Sequence, residues 1–351
     1  MIKTQLINIK RSIQENIDRS SYLRLDANER VIPFEKKLLK KVKERVNSFS
    51  VQSYPKNNTK ILNTISNYEN IDKKFISCFP GTDSSLKCIF EVLSRNKKEI
   101  MSLYPTYGMI DVYSRIYSLK IKKIPEKDIL FFLKKNIKKN FAFLYLANPN
   151  QPSGNIIRYQ ELNKIIQLAK KHNKFIVIDE AYIDFSGQRS FSSAVKKFSN
   201  LIVLKTLSKN IGLAGLRFSY MVANPKISQI INCIRPPHDL SHYSIKVAEH
   251  FLKDKKILKN YIKQIKNSKK FVKTKCKDLK IDFKDTNANF FYIYLRKKNI
   301  PKIVQILKKK KILVKYLKNY KDFKNSLRIT YGSKFQMLFF IKTLHKILRK
   351  T

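Results

Sequence analysis

One short segment combines residue types that can react with a carbonyl group and bind a phosphate. Residues 206–220 read TLSKNIGLAGLRFSY and follow the apolar run NLIVL. A lysine at the end of a buried strand is partly desolvated, which lowers its pKa and makes Lys209 a candidate nucleophile toward a carbonyl carbon. Thr206, Ser208 and Arg217 could jointly hold a phosphate, the arginine as a planar fork. A surface lysine near a turn is the alternative, but it leaves the rest of this set unexplained.

A second apolar run ends on a carboxylate. Residues 174–185 read KFIVIDEAYIDF, which places Asp179 at the end of a predicted strand. Burying an unpaired carboxylate is costly, so Asp179 needs a partner. A protonated pyridine nitrogen would be suitable. A salt bridge to one of the many lysines is the open alternative.

Three further motifs fall in turns. The segment LANPNQPSG (146–154) is a strand followed by a tight loop whose amides could hydrogen-bond a hydroxyl group. The segment FPGTDSSLKCIFEVL (79–93) leads from Gly-Thr-Asp into an amphipathic helix, a plausible anion site at a helix N-terminus. The segment YPTYG (104–108) ends a strand with an aromatic side chain that could stack on a flat ring.

These motifs need a sheet that brings strand ends together. Short apolar runs without period-two alternation predict strands buried on both faces; they occupy 99–105, 141–149, 174–180 and 200–206. An amphipathic helix is predicted at 161–172, between two of them. Strand, helix, strand at this spacing indicates a mostly parallel sheet with crossover helices, and ligands bind at the carboxyl ends of such strands.

The pattern changes after about residue 245. Long Lys-rich helices, a strand pair at 288–295 and 327–332, and a closing helix at 335–350 predict a smaller α+β domain. We therefore expect an α/β protein in three parts: an N-terminal segment (1–44) that packs with the small domain or with a partner subunit, a large domain (45–240) and a small C-terminal domain (241–351).

The order of the motifs resembles that of fold-type I PLP-dependent aminotransferases, specifically the histidinol-phosphate aminotransferase family. The resemblance is carried by GTD, PTYG, NPNxPSG, DEAYIDF and TLSKxxGLAGLR, and outside them by LDANE (25–29), Tyr54-Pro55, RPPHDLSHYSIKVA (235–248), ANFF (288–291) and LRITYG (327–332). It runs over nearly the whole chain. It implies the fold-type I PLP-transferase fold, the cofactor pyridoxal 5'-phosphate (PLP), and transamination between an amino donor such as glutamate and a small phosphorylated keto compound.

The resemblance also implies residue roles. Lys209 would carry PLP as a Schiff base and move the substrate proton, Asp179 would pair with the pyridine nitrogen, and Tyr107 would stack on the ring. Tyr182 and Gln151 would face the phenolic oxygen of the cofactor. The phosphate would be surrounded by Thr82, Asp83, Thr206, Ser208 and Arg217, with Tyr54 reaching over from the neighbouring subunit of a homodimer. The substrate would be bound by Arg328, at its α-carboxylate, and by Lys315 and Asn28.

Four positions depart from the family pattern. Gln151 replaces the usual asparagine, Arg30 stands where the pattern continues Asn-Pro, Ser84 replaces a glutamate, and Lys315 stands where an arginine near the substrate phosphate is common. Since the substrate side differs more than the cofactor side, related reactions stay open as alternatives: a surface-polysaccharide or phosphonate aminotransferase, or a phospho-amino-acid decarboxylase.

The charge balance points toward a polyanion such as nucleic acid when it is read alone. Lys and Arg total 74 against 25 Asp and Glu, a formal net charge of +49. The lysines are, however, spread over nearly every predicted surface segment, and no recognition motif accompanies them. We therefore expect a solvated lysine-rich surface and no specific nucleic-acid partner.

Three other sequence features bear on the cellular compartment, on membrane spans and on metal binding. The four cysteines are far apart without a CxxC pair, which is typical of a reducing cytoplasm. The first residues lack the apolar core of a signal peptide, and the longest uncharged stretch, 141–157, is interrupted by turn residues, so no membrane span is predicted. His238 and His242 are four apart, but no further ligand has a suitable spacing, so no metal site is predicted.

Overall fold

Two β-sheets organise the chain in the computed structural model, which describes residues 17–44, 51–55, 59–296, 298–318 and 320–350. The strands are β1 (Leu23–Leu25), β2 (Ile76–Phe79), β3 (Glu99–Leu103), β4 (Lys120–Ile124), β5 (Phe143–Ala147), β6 (Phe175–Asp179), β7 (Leu201–Thr206), β8 (Ser219–Ala223), β9 (Phe283–Lys284), β10 (Phe290–Tyr294), β11 (Ile312–Tyr316) and β12 (Ser326–Thr330).

Helices cover these sheets. They are α1 (Lys36–Lys43), α2 (Thr59–Glu69), α3 (Thr82–Leu93), α4 (Met109–Ile116), α5 (Ile129–Asn136), α6 (Tyr159–Lys171), α7 (Ile183–Ser186), α8 (Pro225–Cys233), α9 (His242–Lys253), α10 (Lys255–Asp278), α11 (Ile300–Lys309) and α12 (Lys334–Leu348). Within the described ranges, no helix combines the length and apolar character needed to cross a membrane.

The larger sheet has the strand order β2-β8-β7-β6-β5-β3-β4. All neighbouring strands from β7 to β4 pair in parallel, whereas β8 is antiparallel to both β7 and β2. The mostly parallel sheet, its four predicted strands and the helix between β5 and β6 are thereby confirmed. Every residue of β5 and β7 is buried, which explains why neither strand alternates between apolar and polar residues. The buried Lys205 of β7 is paired with Glu69 at 3.5 Å and with Glu180 at 3.3 Å.

The edge strand β4 was not predicted from the sequence. It reads KIKKI and only Ile124 is buried, so it lacks the apolar run by which its neighbours were found. Lysine is common on edge strands because its charge discourages pairing with another chain.

The smaller sheet has the order β1-β11-β12-β10-β9. Strands β10 and β12 are antiparallel, with Phe290 opposite Thr330, which confirms the predicted strand pair. Strand β1 pairs in parallel with β11, so the beginning of the described chain joins a sheet made otherwise of C-terminal residues.

The expected limits of the domains, at 44/45 and 240/241, stay a prediction. Helix α9 follows the second limit, yet its residues Ile245, Val247 and Phe251 belong to the apolar core around the larger sheet. The smaller sheet has its own core with α10, α11 and α12. The segment from β1 to α1 contributes to both cores, with Leu25 and Ile32 in the core of the smaller sheet and Val42 in that of the larger sheet.

Candidate active site

A cleft of about 1570 Å³ is lined by the carboxyl ends of strands of the larger sheet and by residues of the smaller sheet. Most of the side chains singled out in the sequence line it: Thr82, Asp83, Tyr107, Gln151, Asp179, Tyr182, Thr206, Ser208, Lys209, Arg217, Lys315 and Arg328. The cleft therefore gathers residues that lie in seven separate stretches of the chain.

Lys209 lies in the turn after β7. Its Nζ donates a hydrogen bond to the carbonyl oxygen of Ala27 at 3.0 Å. Burial, followed by the charge of Arg328, lowers the pKa of Lys209 to about 8. A useful fraction of the amine is consequently neutral near physiological pH, which is the state that attacks a carbonyl carbon.

Asp179 is the last residue of β6 and is only 6% exposed. Its carboxylate accepts hydrogen bonds from Tyr145 Oη at 2.8 Å and from the backbone N–H of Ala181 at 3.0 Å. Burial raises the pKa of Asp179 to about 6. Among the described residues no lysine, arginine or histidine forms a salt bridge with it, so the alternative of a pairing with a lysine is not what the structure shows.

An anion cradle forms at the start of α3. Its N-cap is Gly81, with φ 86°, and Thr82 and Asp83 are the first residues of the helix. Asp83 accepts a hydrogen bond from Tyr107 Oη at 2.8 Å and lies 3.8 Å from Arg217 Nη2. A Cβ atom at position 81 would lie 2.4 Å from that same Nη2, so an alanine there would displace the Arg217 guanidinium, and the positive φ itself favours glycine.

The turn after β7 supplies the other wall of this cradle. Thr206 and Ser208 are buried, and the backbone N–H of Ser208 donates to Thr206 Oγ1 at 3.1 Å. The lysine loop, residues 207–218, joins β7 to β8 and carries Lys209. Arg217 lies near its end and has left-handed backbone angles, φ 53° and ψ 47°. Helix N–H groups, hydroxyls and a guanidinium thus converge as in anion-binding sites.

A tyrosine joins two distant amides deeper in the cleft. Tyr182 Oη donates to Gln151 Oε1 at 2.6 Å and accepts from Asn28 Nδ2 at 2.9 Å. Burial raises the pKa of Tyr182 to about 12. Asn28 is buried, and its backbone N–H donates to Thr330 Oγ1 at 3.0 Å. Although Gln151 is longer than the asparagine of the family pattern, it reaches Tyr182.

Two cations face each other on the smaller sheet. Lys315 on β11 is opposite Arg328 on β12. Burial, and then the charge of Arg328, lowers the pKa of Lys315. Arg328 Nη2 donates to the carbonyl oxygen of Asp26 at 2.9 Å, while its buried Nε has no hydrogen-bond partner among the residues that the structure describes. This uncompensated positive charge suits an anionic ligand.

Tyr54 lies outside the cleft of its own chain. Its side chain is 75% exposed, and its ring stacks on that of His238 with a centroid distance of 5.1 Å. The single chain therefore brings together all of the predicted site residues except this one, with Asn28 lying directly behind the lining.

Three residues that contribute to the site were not identified from the sequence. Tyr145 donates a hydrogen bond to Asp179, and its only sequence signal is a hydroxyl group within an otherwise apolar strand. Glu126 fixes the loop that carries Gln151, because it accepts from Asn150 Nδ2 and Asn155 Nδ2, both at 2.5 Å. Ala27 acts through a backbone carbonyl, which leaves no trace in a side-chain pattern.

The chain is similar to known proteins over most of its length. The profile of the family "Aminotransferase class I and II" matches residues 20–343. A histidinol-phosphate aminotransferase of Brachyspira hyodysenteriae is 30% identical, covering 94% of this chain and 93% of the relative. One of Clostridium novyi is 29% identical, covering 90% and 88%. The crystal structure of histidinol-phosphate aminotransferase from Sinorhizobium meliloti in complex with pyridoxal-5'-phosphate has the same fold, with a TM-score of 0.81 at 19% identity, covering 93% of this chain and 91% of that one.

Proposed function

Because this chain belongs to the class I and II aminotransferase family, we propose that it catalyses PLP-dependent transamination between glutamate and a small phosphorylated keto substrate, as a histidinol-phosphate aminotransferase. The observation that carries the proposal is the convergence of Lys209, Asp179 and Arg328 on one cleft. When bound, PLP supplies an electron sink that stabilises negative charge developing at the substrate α-carbon.

The residues of the cleft fit PLP. Asp179 is buried, and no cationic side chain in the described part of the chain pairs with it; a protonated pyridine nitrogen would provide such a partner. The cradle around Thr82, Ser208 and Arg217 suits the cofactor phosphate. Tyr182 and Gln151 would face the phenolic oxygen, with Asn28 holding Tyr182 in place, and Tyr107 would stack on the ring.

Lys209 is the proposed catalytic residue. Its Nζ would be joined to the aldehyde carbon of the cofactor with loss of water, and would be freed when the substrate amine takes its place. The free amine would then take the proton of the substrate α-carbon and return it at a neighbouring atom. Both tasks need a neutral amine, and the pKa of about 8 produced by burial and by Arg328 keeps part of Lys209 in that state near neutral pH.

The paired cations on the smaller sheet support a substrate with two anionic groups. Arg328 would bind the α-carboxylate as a bidentate fork, and Lys315, directly opposite, would bind the phosphate as a point charge. The name shared by the relatives supports imidazole acetol phosphate as the keto substrate. Release of CO₂ without a keto product would instead favour the decarboxylase alternative.

The decisive experiment follows PLP and its amino form in the purified protein. Wild type with PLP should be yellow, borohydride should trap PLP on Lys209, and glutamate should convert the cofactor to its amino form with release of 2-oxoglutarate. Lys209→Ala should lose the trapped adduct and at least about 10³-fold in kcat, since covalent catalysis is removed. The exposed Lys226→Ala is the matched control and should behave as wild type. Trapping of PLP on a lysine other than Lys209 would refute the assignment.

We further propose a cytoplasmic homodimer with shared sites, acting in amino-acid biosynthesis. Tyr54 is exposed and outside its own cleft, which supports a role in the cleft of a second copy. In that arrangement its hydroxyl would bind the phosphate of the cofactor held by the neighbouring chain.

A further inference from the structure

We propose that Arg30 is a positioning residue that fastens the segment 26–34 onto the loop carrying Lys209. The proposal rests on the proposed function in one respect, the covalent role of Lys209. It concerns a position where this chain departs from the family pattern, and no role follows for it from the resemblance. Arg30 and Gly212 both line the cleft.

The guanidinium of Arg30 has contacts on both faces and along its edge. Its Cζ lies 4.1 Å from the ring centroid of Phe34 and 4.3 Å from that of Tyr261 on α10. Nε donates to the carbonyl oxygen of Ile32 at 2.9 Å, and Nη1 donates to that of Ile211 at 3.1 Å. One side chain thus joins its own segment, a helix of the small domain and the lysine loop.

The stem of Arg30 is equally constrained. Gly212 has φ +92°, and a Cβ atom there would lie 2.3 Å from Arg30 Cβ and 2.4 Å from Arg30 Cδ. Only a glycine allows the arginine to pass this close to the backbone. The loop and the segment are therefore in direct contact where Arg30 meets Gly212, which lies three residues after Lys209.

The same segment carries two groups that act on the site. Ala27 accepts the hydrogen bond of Lys209 Nζ, and Asn28 donates to Tyr182. At its other end the segment is held by Arg19, which lies 2.7 Å from Asp26 and 3.1 Å from Glu29. Arg30 is the contact that fixes it to the lysine loop, so it keeps the Ala27 carbonyl at Lys209 and water away from the amine.

Neither lysine nor glutamine can reproduce these contacts. Lysine keeps the charge but has no planar group to fill the space between two rings, and glutamine is shorter and uncharged. With either, the segment should separate from the loop more often, and Lys209 should be better solvated. A better solvated amine is more readily protonated, so it condenses more slowly with a carbonyl compound near neutral pH.

The test measures the reactivity of Lys209 in the full-length, PLP-free protein. PLP is added between pH 6 and pH 9, covalent attachment is followed by absorbance, and borohydride trapping with peptide mass spectrometry assigns the lysine. Arg30→Lys and Arg30→Gln should move the midpoint of the pH profile up by about one unit, a roughly tenfold slower attachment at pH 7. The control Arg296→Gln, a 75% exposed arginine paired with Asp282, should leave the profile unchanged.

A second variant guards against misfolding. Gly212→Ala attacks the same contact from the loop side and should shift the profile in the same direction. Gly187→Ala has a similar positive φ with nothing near its Cβ and controls for backbone strain alone. Well-folded Arg30 variants with a wild-type profile would overturn the proposal, as would a shift in Gly212→Ala alone. If PLP does not attach to Lys209 even in wild type, the proposed function itself fails, which is a different result.

Discussion

The protonation of Asp179 links stability to cofactor binding. Its pKa of about 6 in the folded chain lies above the ordinary value, because burial disfavours the charged carboxylate. The associated stability is therefore fully present below about pH 4 and is lost as pH rises through 6, an effect of roughly 2–3 kcal/mol. A protonated pyridine nitrogen would reverse it by pairing with the charge.

Asp179→Asn should consequently separate the two effects. The PLP-free variant should be more stable than wild type at pH 7.5 by about 1–2 kcal/mol, less than the full effect because an amide accepts only one of the two hydrogen bonds. The difference should shrink toward pH 5. PLP should stabilise wild type more than the variant. Urea unfolding with and without PLP at both pH values measures this, and equal stabilisation of the two proteins by PLP would contradict the pairing.

At the scale of elements, the N-cap of α3 has a positive φ of 86°, which the glycine at position 81 adopts without strain. Thr82 and Asp83 at the start of the helix line the cleft, and Arg217 reaches across the glycine from the lysine loop. The element and the loop form one cradle only because no side chain separates them.

Gly81→Ala should weaken PLP binding by about tenfold or more, since displacing Arg217 removes a charge-assisted contact to the phosphate. Strain at positive φ should also reduce stability by about 1 kcal/mol. Gly187→Ala, with φ +76° and open space around its Cβ, shares the strain but not the displacement. Equilibrium titration of PLP compares the two, and an equal loss of affinity would argue against the cradle.

At the scale of the whole molecule, the proposed homodimer makes each site depend on two chains. Lys209→Ala and Tyr54→Ala should each be impaired, but reassembled mixtures should regain activity, because one site in each mixed dimer contains intact Lys209 and Tyr54. Random mixing restores at most about a quarter of all sites. Sedimentation and activity after unfolding and remixing test this. A dimer without any recovery would show that Tyr54 does not act in the neighbouring site.

The sequence by itself determined the chemistry of the larger sheet. Lys209, Asp179 and Thr206 follow or end buried strands whose apolar runs are unmistakable, and adjacent parallel strands must present their carboxyl ends at one edge. The strand pair that includes Arg328 was also predicted from the sequence. Each of these residues lies in, or directly after, the strand that places it, so its position follows from the local sequence.

Only the tertiary structure decided what closes the cleft. Strand β1 pairs with β11 from the other end of the chain, and this pairing brings Ala27 to Lys209 and Arg30 to Gly212. A backbone carbonyl such as that of Ala27 has no sequence signature. The lysine-rich edge strand β4 lacks the apolar run that identifies a strand. Arg30, which stands where the family pattern has Asn-Pro, has no evident role until the structure shows its contacts with Phe34 and Tyr261. The end of a strand follows from the local sequence pattern, so the residues on the cofactor side could be predicted. Contacts between distant segments depend on packing, so the contacts of the segment that covers Lys209 could not.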